Sequence, residues 1–484
     1  MATADRASQR VDVIIVGAGT AGLSALRQVR RQTESFVVIN EGSWGTTCAR
    51  VGCMPSKALI EAANAFHRRH AFPAFGIEGS EDLRVNVPEV MARVRKLRDG
   101  FTRGPAATPR ELGDRAIQGR ARLVAPDEVE VEGRRIRARS IILAPGSRPV
   151  VPPAWRGFEP RLLTTDTLFE QGDLPRRMAV VGLGAIGVEM AQALARLGVE
   201  VEGFEALDTL AGLTDPAVVD ALRDALRQEF PVHTGSPAEL SETDGRIAVA
   251  GGGASFVADA VLAALGRTSN ADTLGFDDLD LAAHGVEMND KGLPRVDETT
   301  LQVGDLPLFL AGDANARLAL LHEAADDGFI AGRNALADTP ARFCRRTPLV
   351  IAFTSPGAAR VGTRFADLDP GSAVVGSFDF SRQARARMAE RARGLLRVYA
   401  ERGSGRLLGA EMCIPDAEHL AHLLALAMQQ ELTVHDLLGM PFYHPVLEEG
   451  LRSALRDLAR QVETRAPGDS DLADCPALGM PALD

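Results

Sequence analysis

Two cysteines five positions apart, Cys48 and Cys53, lie in the stretch GTTCARVGCMPSK (45–57) of a 484-residue chain that has only five cysteines. Three chemistries use so close a pair. A structural disulfide would close a loop so small that chain entropy returns only about 2 kcal/mol. Zinc needs further ligands, and no second Cys or His pair stands nearby at ligand spacing. His419 and His422 can share a helix face but read as solvated or core histidines, so no metal is expected. Thiol–disulfide exchange remains, and it requires an acidic thiol and a destination for two electrons. Pro55 marks a helix start just after Cys53, where the dipole favours a thiolate. In an unbroken helix residues five apart are too distant to bridge, so a distorted turn is expected between them. Lys57, in the same stretch, is one of three lysines (with Lys96 and Lys291) among 54 basic residues, so an incidental surface charge is a poor account of it.

Two other stretches offer a destination for the electrons. VDVIIVGAGTAG (11–22) is an apolar, β-branched run that breaks into glycines before the helical SALRQVRRQ, and MAVVGLGAIGVEMAQALARLG (178–198) repeats the pattern. Both fit G-x-G-x-x-G, with Gly17, Gly19 and Gly22 in the first and Gly182, Gly184 and Gly187 in the second. One copy alone is weak. Two, each between a strand and a helix, predict two dinucleotide-binding α/β units. At the end of the following strand stands Asn40, with Glu41 beside it, in the first unit and Glu205 in the second. A carboxylate there accepts both ribose hydroxyls and repels a 2′-phosphate, so Glu205 favours NAD over NADP.

The remaining elements must position these residues. ARLVAPDEVEVEGRRIRARSIILAPGS (121–147) reads as a meander of short strands ending in a buried strand at 140–144. DPAVVDALRDALRQEF (215–230) reads as a helix with Pro at its first position, and LPLFLAGDA (306–314) as a buried strand closing on Asp313. From about residue 346 the chain is strand-rich, then helical in AEHLAHLLALAMQQ. The predicted fold is α/β: two Rossmann-like dinucleotide-binding domains plus a C-terminal α+β domain. The first domain spans 1–150 and 271–345, the second 151–270 and the third 346–465. Residues 466–484, rich in Pro, Gly, Ala and Asp, are expected to be a mobile tail carrying Cys475.

A formal net charge of -11 argues against nucleic acid or an anionic membrane as partner. The arginines of SRQARARMAERARG (381–394) read as a solvated face. No apolar run reaches bilayer-spanning length, and residues 1–10 lack the pattern of a secretory signal, so a cytoplasmic, thiol-reducing setting is expected.

On GTTCARVGCMPSK, GAGTAG, LFLAGDA, ALGRTSN (264–270) and FYHPVLEEGLR (442–452), the chain resembles the pyridine nucleotide-disulfide oxidoreductases from about Val11 to about Gln461. The resemblance implies FAD in the first unit, held by its glycine turn with Asn40, Glu41, Gly146, Lys57 and Asp313. It implies NAD in the second, held by its glycine turn with Glu205 and Gly266. Cys48 would be the interchange thiol meeting substrate and Cys53 the thiol facing the flavin, with Lys57 near the flavin N5 and paired with Glu189. His444 would be the acid–base catalyst, oriented by Glu449 and reaching the disulfide of the other subunit. A homodimer built through residues 346–465 follows. Some positions depart from the family pattern: Asn40 replaces an acid, Thr46 a glycine and Pro145 a threonine. Glu202 and Gly203, in a strand that is commonly apolar, are expected to loosen the nicotinamide site.

The activity so implied is that of a dihydrolipoamide dehydrogenase, oxidising dihydrolipoyl groups with NAD⁺ as in 2-oxoacid dehydrogenase complexes. No lipoyl-like domain precedes Val11, so the lipoyl group is expected on another chain. Two other readings use the same residues. One is an NAD(P)H-driven disulfide or mercuric-ion reductase, with Cys475 as a relay. The other is a flavin-binding redox sensor without turnover.

Overall fold

The computed structural model describes residues 9–464; Cys475 and the expected tail lie outside the described residues. Strand β1 (Gln9–Val16) is buried throughout Val13–Val16, as a parallel strand covered on both faces must be. It pairs in parallel with β2 (Phe36–Asn40) on one side and with the strand Arg134–Leu143 on the other, Ile14 standing opposite Val37 and Ile141. The far edge of Arg134–Leu143 is shared. Its first half pairs antiparallel with Glu128–Val131, and its last residues pair in parallel with Leu308–Leu310, which returns from much later in the chain.

Helix α1 (Thr20–Val29) covers one face of this sheet and crosses the helix Leu321–Asn334 at very short range. A Cβ on Gly328 would stand 2.1 Å from the Ala21 carbonyl oxygen, so only glycine fits there. The late helix is thereby pinned to the helix that opens at the first glycine turn.

The second unit is a parallel sheet in the order Val232–His233, Glu200–Phe204, Arg177–Val181, Ala260–Ala263, Leu162–Leu163. The helix Ala185–Arg196 follows the second glycine turn. The strand Glu200–Phe204 pairs along its whole length with Arg177–Val181 and, through Gly203 and Phe204, with Val232–His233, so Glu202 and Gly203 do not interrupt it. A Cβ at Gly203 would press on Leu183 and Phe230 at 3.1–3.2 Å, and Glu202 meets the His233 imidazole at 2.7 Å. Glycine here permits close packing, and the acid has a partner.

A two-stranded antiparallel ribbon, Ser147–Pro149 with Arg267–Ser269, joins the two units. The C-terminal part is an antiparallel sheet in the order Leu349–Ala352, Gly357–Gly362, Leu407–Ile414, Leu395–Glu401, Ala373–Asp379. The helices Ala417–Gln429 and Glu449–Ala459 share its core. No helix among the described residues is long and apolar enough to cross a membrane. Arg382, Arg385 and Arg387 are exposed, as expected of a solvated face, whereas Arg391 pairs with Asp416 and Arg393 with Gln228.

Candidate functional site

The cysteine segment folds as two helices, α2 (Thr47–Val51) and α3 (Cys53–His67), broken at Gly52. Thr46 caps α2 by accepting the Ala49 N–H at 3.1 Å. The break delivers what the spacing asked for: Cys48 and Cys53 stand close enough for the Cys48 thiol to donate a hydrogen bond to Cys53. That bond divides the pair's acidity. Donation to Cys53, together with burial, pushes the Cys48 thiol well up. The Cys53 thiol falls to about 7, first because Cys48 donates to it and then, against the cost of burial, because Lys57 lies near. Cys53 is also the first residue of α3, where the helix dipole favours an anion.

Lys57 is held one turn further along. Its ammonium donates to both carboxylate oxygens of Glu189, at 2.9 and 2.8 Å, and stands 4.6 Å from the centre of the Phe353 ring. Glu189 is 4% exposed, and such a carboxylate stays charged only with partners. The Phe353 N–H supplies another at 2.9 Å. The apolar side of α3, Leu59, Ile60 and Ala63, shares one core with Val188, Ala191 and Leu194 of the Glu189 helix. Burying each leucine or isoleucine contributes about 2 kcal/mol, so the ion pair sits on packed elements.

Both glycine turns open onto these groups. One cavity is lined by Gly19 and Thr20 at the start of α1, by Ala185 and Ile186 at the start of the second helix, and by Cys48, Cys53, Lys57 and Glu189 between them. Gly146, Arg267, Asp313 and Ala324 complete its wall. A second cavity on the other side of the first turn is lined by Gly17, Asn40, Glu41, Gly119, Arg120 and Arg148. Gly19 and Gly184 are the N-caps of their helices and make no side-chain cap bond, and a Cβ on either would meet nothing within 4 Å. Uncapped helix starts beside open space suit a pyrophosphate. Gly17 and Gly22 are used differently. A Cβ on Gly17 would strike the Ala144 carbonyl oxygen at 2.1 Å and one on Gly22 the Gly17 oxygen at 1.9 Å; Gly182 and Gly187 repeat this in the second turn.

Asp313 is held from two sides. Its Oδ2 accepts the Ser147 hydroxyl at 2.5 Å, and Arg267 donates to that same hydroxyl at 2.7 Å and to the Ser147 carbonyl at 2.6 Å. Behind it, buried Asp327 accepts the Gly312 N–H at 2.9 Å and the Asn315 amide at 2.7 Å, and is itself paired with Arg345. Ser147, Arg267, Asp327 and Arg345 are absent from the expectations. Their signal is faint: Ser147 and Arg267 each follow a glycine, Gly146 or Gly266, at the two ends of one ribbon. Gly266 itself lies outside both cavities, and its carbonyl accepts the Val150 N–H.

His444 and Glu449 form their own pair, Nδ1 to Oε1 at 2.9 Å, at the start of the helix Glu449–Ala459. Glu449 is held below the usual carboxylate range first by that bond and also by the Val446 N–H at 3.2 Å. The fold does not bring this pair into the cysteine cavity of the same chain: His444 is 74% exposed and absent from its lining. Of the remaining cysteines in the described part, Cys344 is exposed, while burial pushes Cys413 up to about 12.

The sequence matches the family described as pyridine nucleotide-disulphide oxidoreductase over residues 11–328, and the dimerisation domain of that family over 348–455. It is 30% identical to a dihydrolipoyl dehydrogenase of Thermus scotoductus over 465 residues, covering 93% of this chain and 98% of the relative. It is also 30% identical to a dihydrolipoyl dehydrogenase of Halobacterium salinarum, covering 92% and 96%. The fold is similar to that of the Cu(II) complex of the HOCl-induced flavoprotein disulfide reductase RclA from Escherichia coli. There the TM-score is 0.79 at 22% identity, covering 93% of this chain and 99% of that one.

Proposed function

The chain belongs to the pyridine nucleotide-disulphide oxidoreductases, and from that premise we propose that it oxidises dihydrolipoyl groups with NAD⁺ through a Cys48–Cys53 disulfide. It is a flavoprotein disulfide oxidoreductase whose cofactors are FAD and a nicotinamide dinucleotide. The observation that carries the finer reading is the single cavity onto which both glycine-turn helices and both cysteines open. The names of the relatives support the dihydrolipoyl substrate, and Glu205 supports NAD.

FAD, when bound, supplies a two-electron carrier between the thiols and the nicotinamide. Gly19 and the start of α1 fit its pyrophosphate, Asp313 and Lys57 its flavin end, and Asn40 and Glu41 its ribose end. The protein's own part is thiol exchange. A dihydrolipoyl thiolate attacks Cys48 Sγ, the Cys48–Cys53 bond breaks, and Cys53 leaves as a thiolate beside Lys57. The second dihydrolipoyl thiol then attacks the mixed disulfide, which closes the lipoyl ring and releases Cys48. Cys48, the less acidic thiol of the pair, retains a proton, and Cys53 retains the charge. His444 of the second subunit in a homodimer takes the proton of the attacking thiol, with Glu449 fixing the imidazole and stabilising its charged form. Residues 346–465 are the dimerisation part in this reading.

The test is steady-state turnover of the purified protein with dihydrolipoamide and NAD⁺ or NADP⁺, beside NADH or NADPH with glutathione disulfide and with Hg²⁺. Fast NAD⁺ reduction by dihydrolipoamide is expected. Turnover confined to glutathione disulfide or Hg²⁺ would move the substrate to the reductase reading. A flavin that dihydrolipoamide and NADH both leave oxidised would indicate a sensor.

A further inference from the structure

One face of the helix Ala185–Arg196 is devoted to a loop of the C-terminal part. Glu189 accepts the Phe353 N–H at 2.9 Å, and Gln192 Oε1 accepts the Ser355 N–H at 2.8 Å. Gln192 Nε2 returns a bond to the Ser355 carbonyl at 3.0 Å, which Arg196 also reaches at 3.1 Å. Positions 189, 192 and 196 lie on one helical face, and they grip Phe353 and Ser355 of the loop. Gln192 is central to that grip. It is 3% exposed, it bonds Ser355 in both directions, and its amide also donates to Glu229 at 2.9 Å.

We propose that Gln192 is a positioning residue for the thiol pair: it holds the loop Phe353–Pro356 so that Phe353 braces the Lys57–Glu189 ion pair beside Cys53. Phe353 acts on that pair twice. Its N–H takes up part of the negative charge on Glu189, which otherwise opposes a thiolate at Cys53. Its ring, 4.6 Å from the Lys57 ammonium, holds that ammonium in place by cation–π attraction and so keeps its field on Cys53. The charged and titratable groups around Cys53 are Cys48 from α2, Lys57 from α3 and Glu189 from the helix Ala185–Arg196, with Arg267 and Asp313 further round the same wall. Gln192 touches none of the reacting atoms. Releasing it lets the loop withdraw, Glu189 regains charge, Lys57 loses the ring that holds it and Cys53 becomes less acidic.

This inference rests on the reading of Cys53 as a stabilised thiolate, and its test separates the two. Cys48→Ser is introduced into the flavin-containing protein, and the rate of iodoacetamide alkylation of Cys53, resolved by peptide mass spectrometry, is followed against pH. The same profile is taken with Gln192→Met and with Phe353→Leu added. Both additions are expected to raise the midpoint and to slow alkylation at pH 7 by about fivefold for Gln192→Met, the change that a one-unit rise imposes there, and by less for Phe353→Leu. A parent midpoint near 7 that neither addition moves would overturn the inference alone. A parent midpoint near that of a free thiol would overturn the thiolate reading and the inference with it. If Gln192→Met shows no cooperative melt, the Phe353→Leu profile decides, since that change is on a loop and leaves every backbone bond in place.

Discussion

Asn40 and Glu205 perform the same task in different units. Each stands at the end of the strand after a glycine turn, and each accepts the backbone N–H of the residue following the first glycine. The Ala18 N–H meets Asn40 Oδ1 at 3.0 Å, and the Leu183 N–H meets Glu205 Oε2 at 2.7 Å. Any polar acceptor can tie the turn, but only a charge discriminates against a phosphate. Asn40 spends its amide on the Glu41 and Ser43 carbonyls at 3.2 and 3.4 Å, and Glu41 is exposed at the rim of the same cavity.

Glu205→Gln keeps an acceptor for Leu183 and removes the charge. The ratio of kcat/KM for NAD⁺ over NADP⁺ is expected to fall by about tenfold, with the melting temperature little changed. An unaltered ratio would show that Glu205 serves the turn alone.

Serine at either Cys48 or Cys53 removes the Cys48–Cys53 disulfide. Dihydrolipoamide oxidation is expected to fall by at least about a thousandfold while flavin stays bound, measured by stopped-flow reduction and absorbance.

Glu449→Gln leaves His444 a hydrogen-bonding partner but withdraws the charge that stabilises the imidazolium. We expect kcat to drop by about tenfold with flavin content and melting temperature little changed. His444→Gln should cost about a hundredfold or more. A kcat unchanged in Glu449→Gln would remove the carboxylate from proton transfer.

His67 gives the fold a pH sensitivity of its own. Burial, then the nearby Arg196, lowers its pKa from 6.5 to about 4. A base that binds its proton less well when folded loses stability as pH falls from about 6.5 towards 4, where the unfolded chain takes up the proton first. The urea midpoint should therefore decline more steeply over that window in the parent than in His67→Gln. Parallel declines would dismiss the effect.

The thiol pair, both glycine turns and the Lys57–Glu189 pairing were legible because each is written in a short stretch with a demanding chemistry, or in the family resemblance such stretches carry. Lys57 stood out because lysine is so rare in this chain. The supports were not legible. Gln192 and Ser355 are 163 positions apart and Ser147 and Asp313 are 166 apart, and nothing local in either member announces the other. Gly203 shows the opposite error. Read within its strand it suggested slackness, and only the side chains of Leu183 and Phe230 packed against it reveal why no larger residue is there.

The ribbon Ser147–Pro149 with Arg267–Ser269 places the two ends of everything between them opposite each other, Ser147 facing Ser269 and Arg148 facing Thr268. The intervening segment is thus a cassette with adjoining ends, the arrangement in which an inserted domain is best tolerated. Evolution, or an engineer, has two chain junctions to preserve in exchanging it for a unit with another coenzyme preference, with Ser147 and Arg267 on the host side of the seam and the contacts of Glu189 with Lys57 and of Gln192 with Ser355 rebuilt.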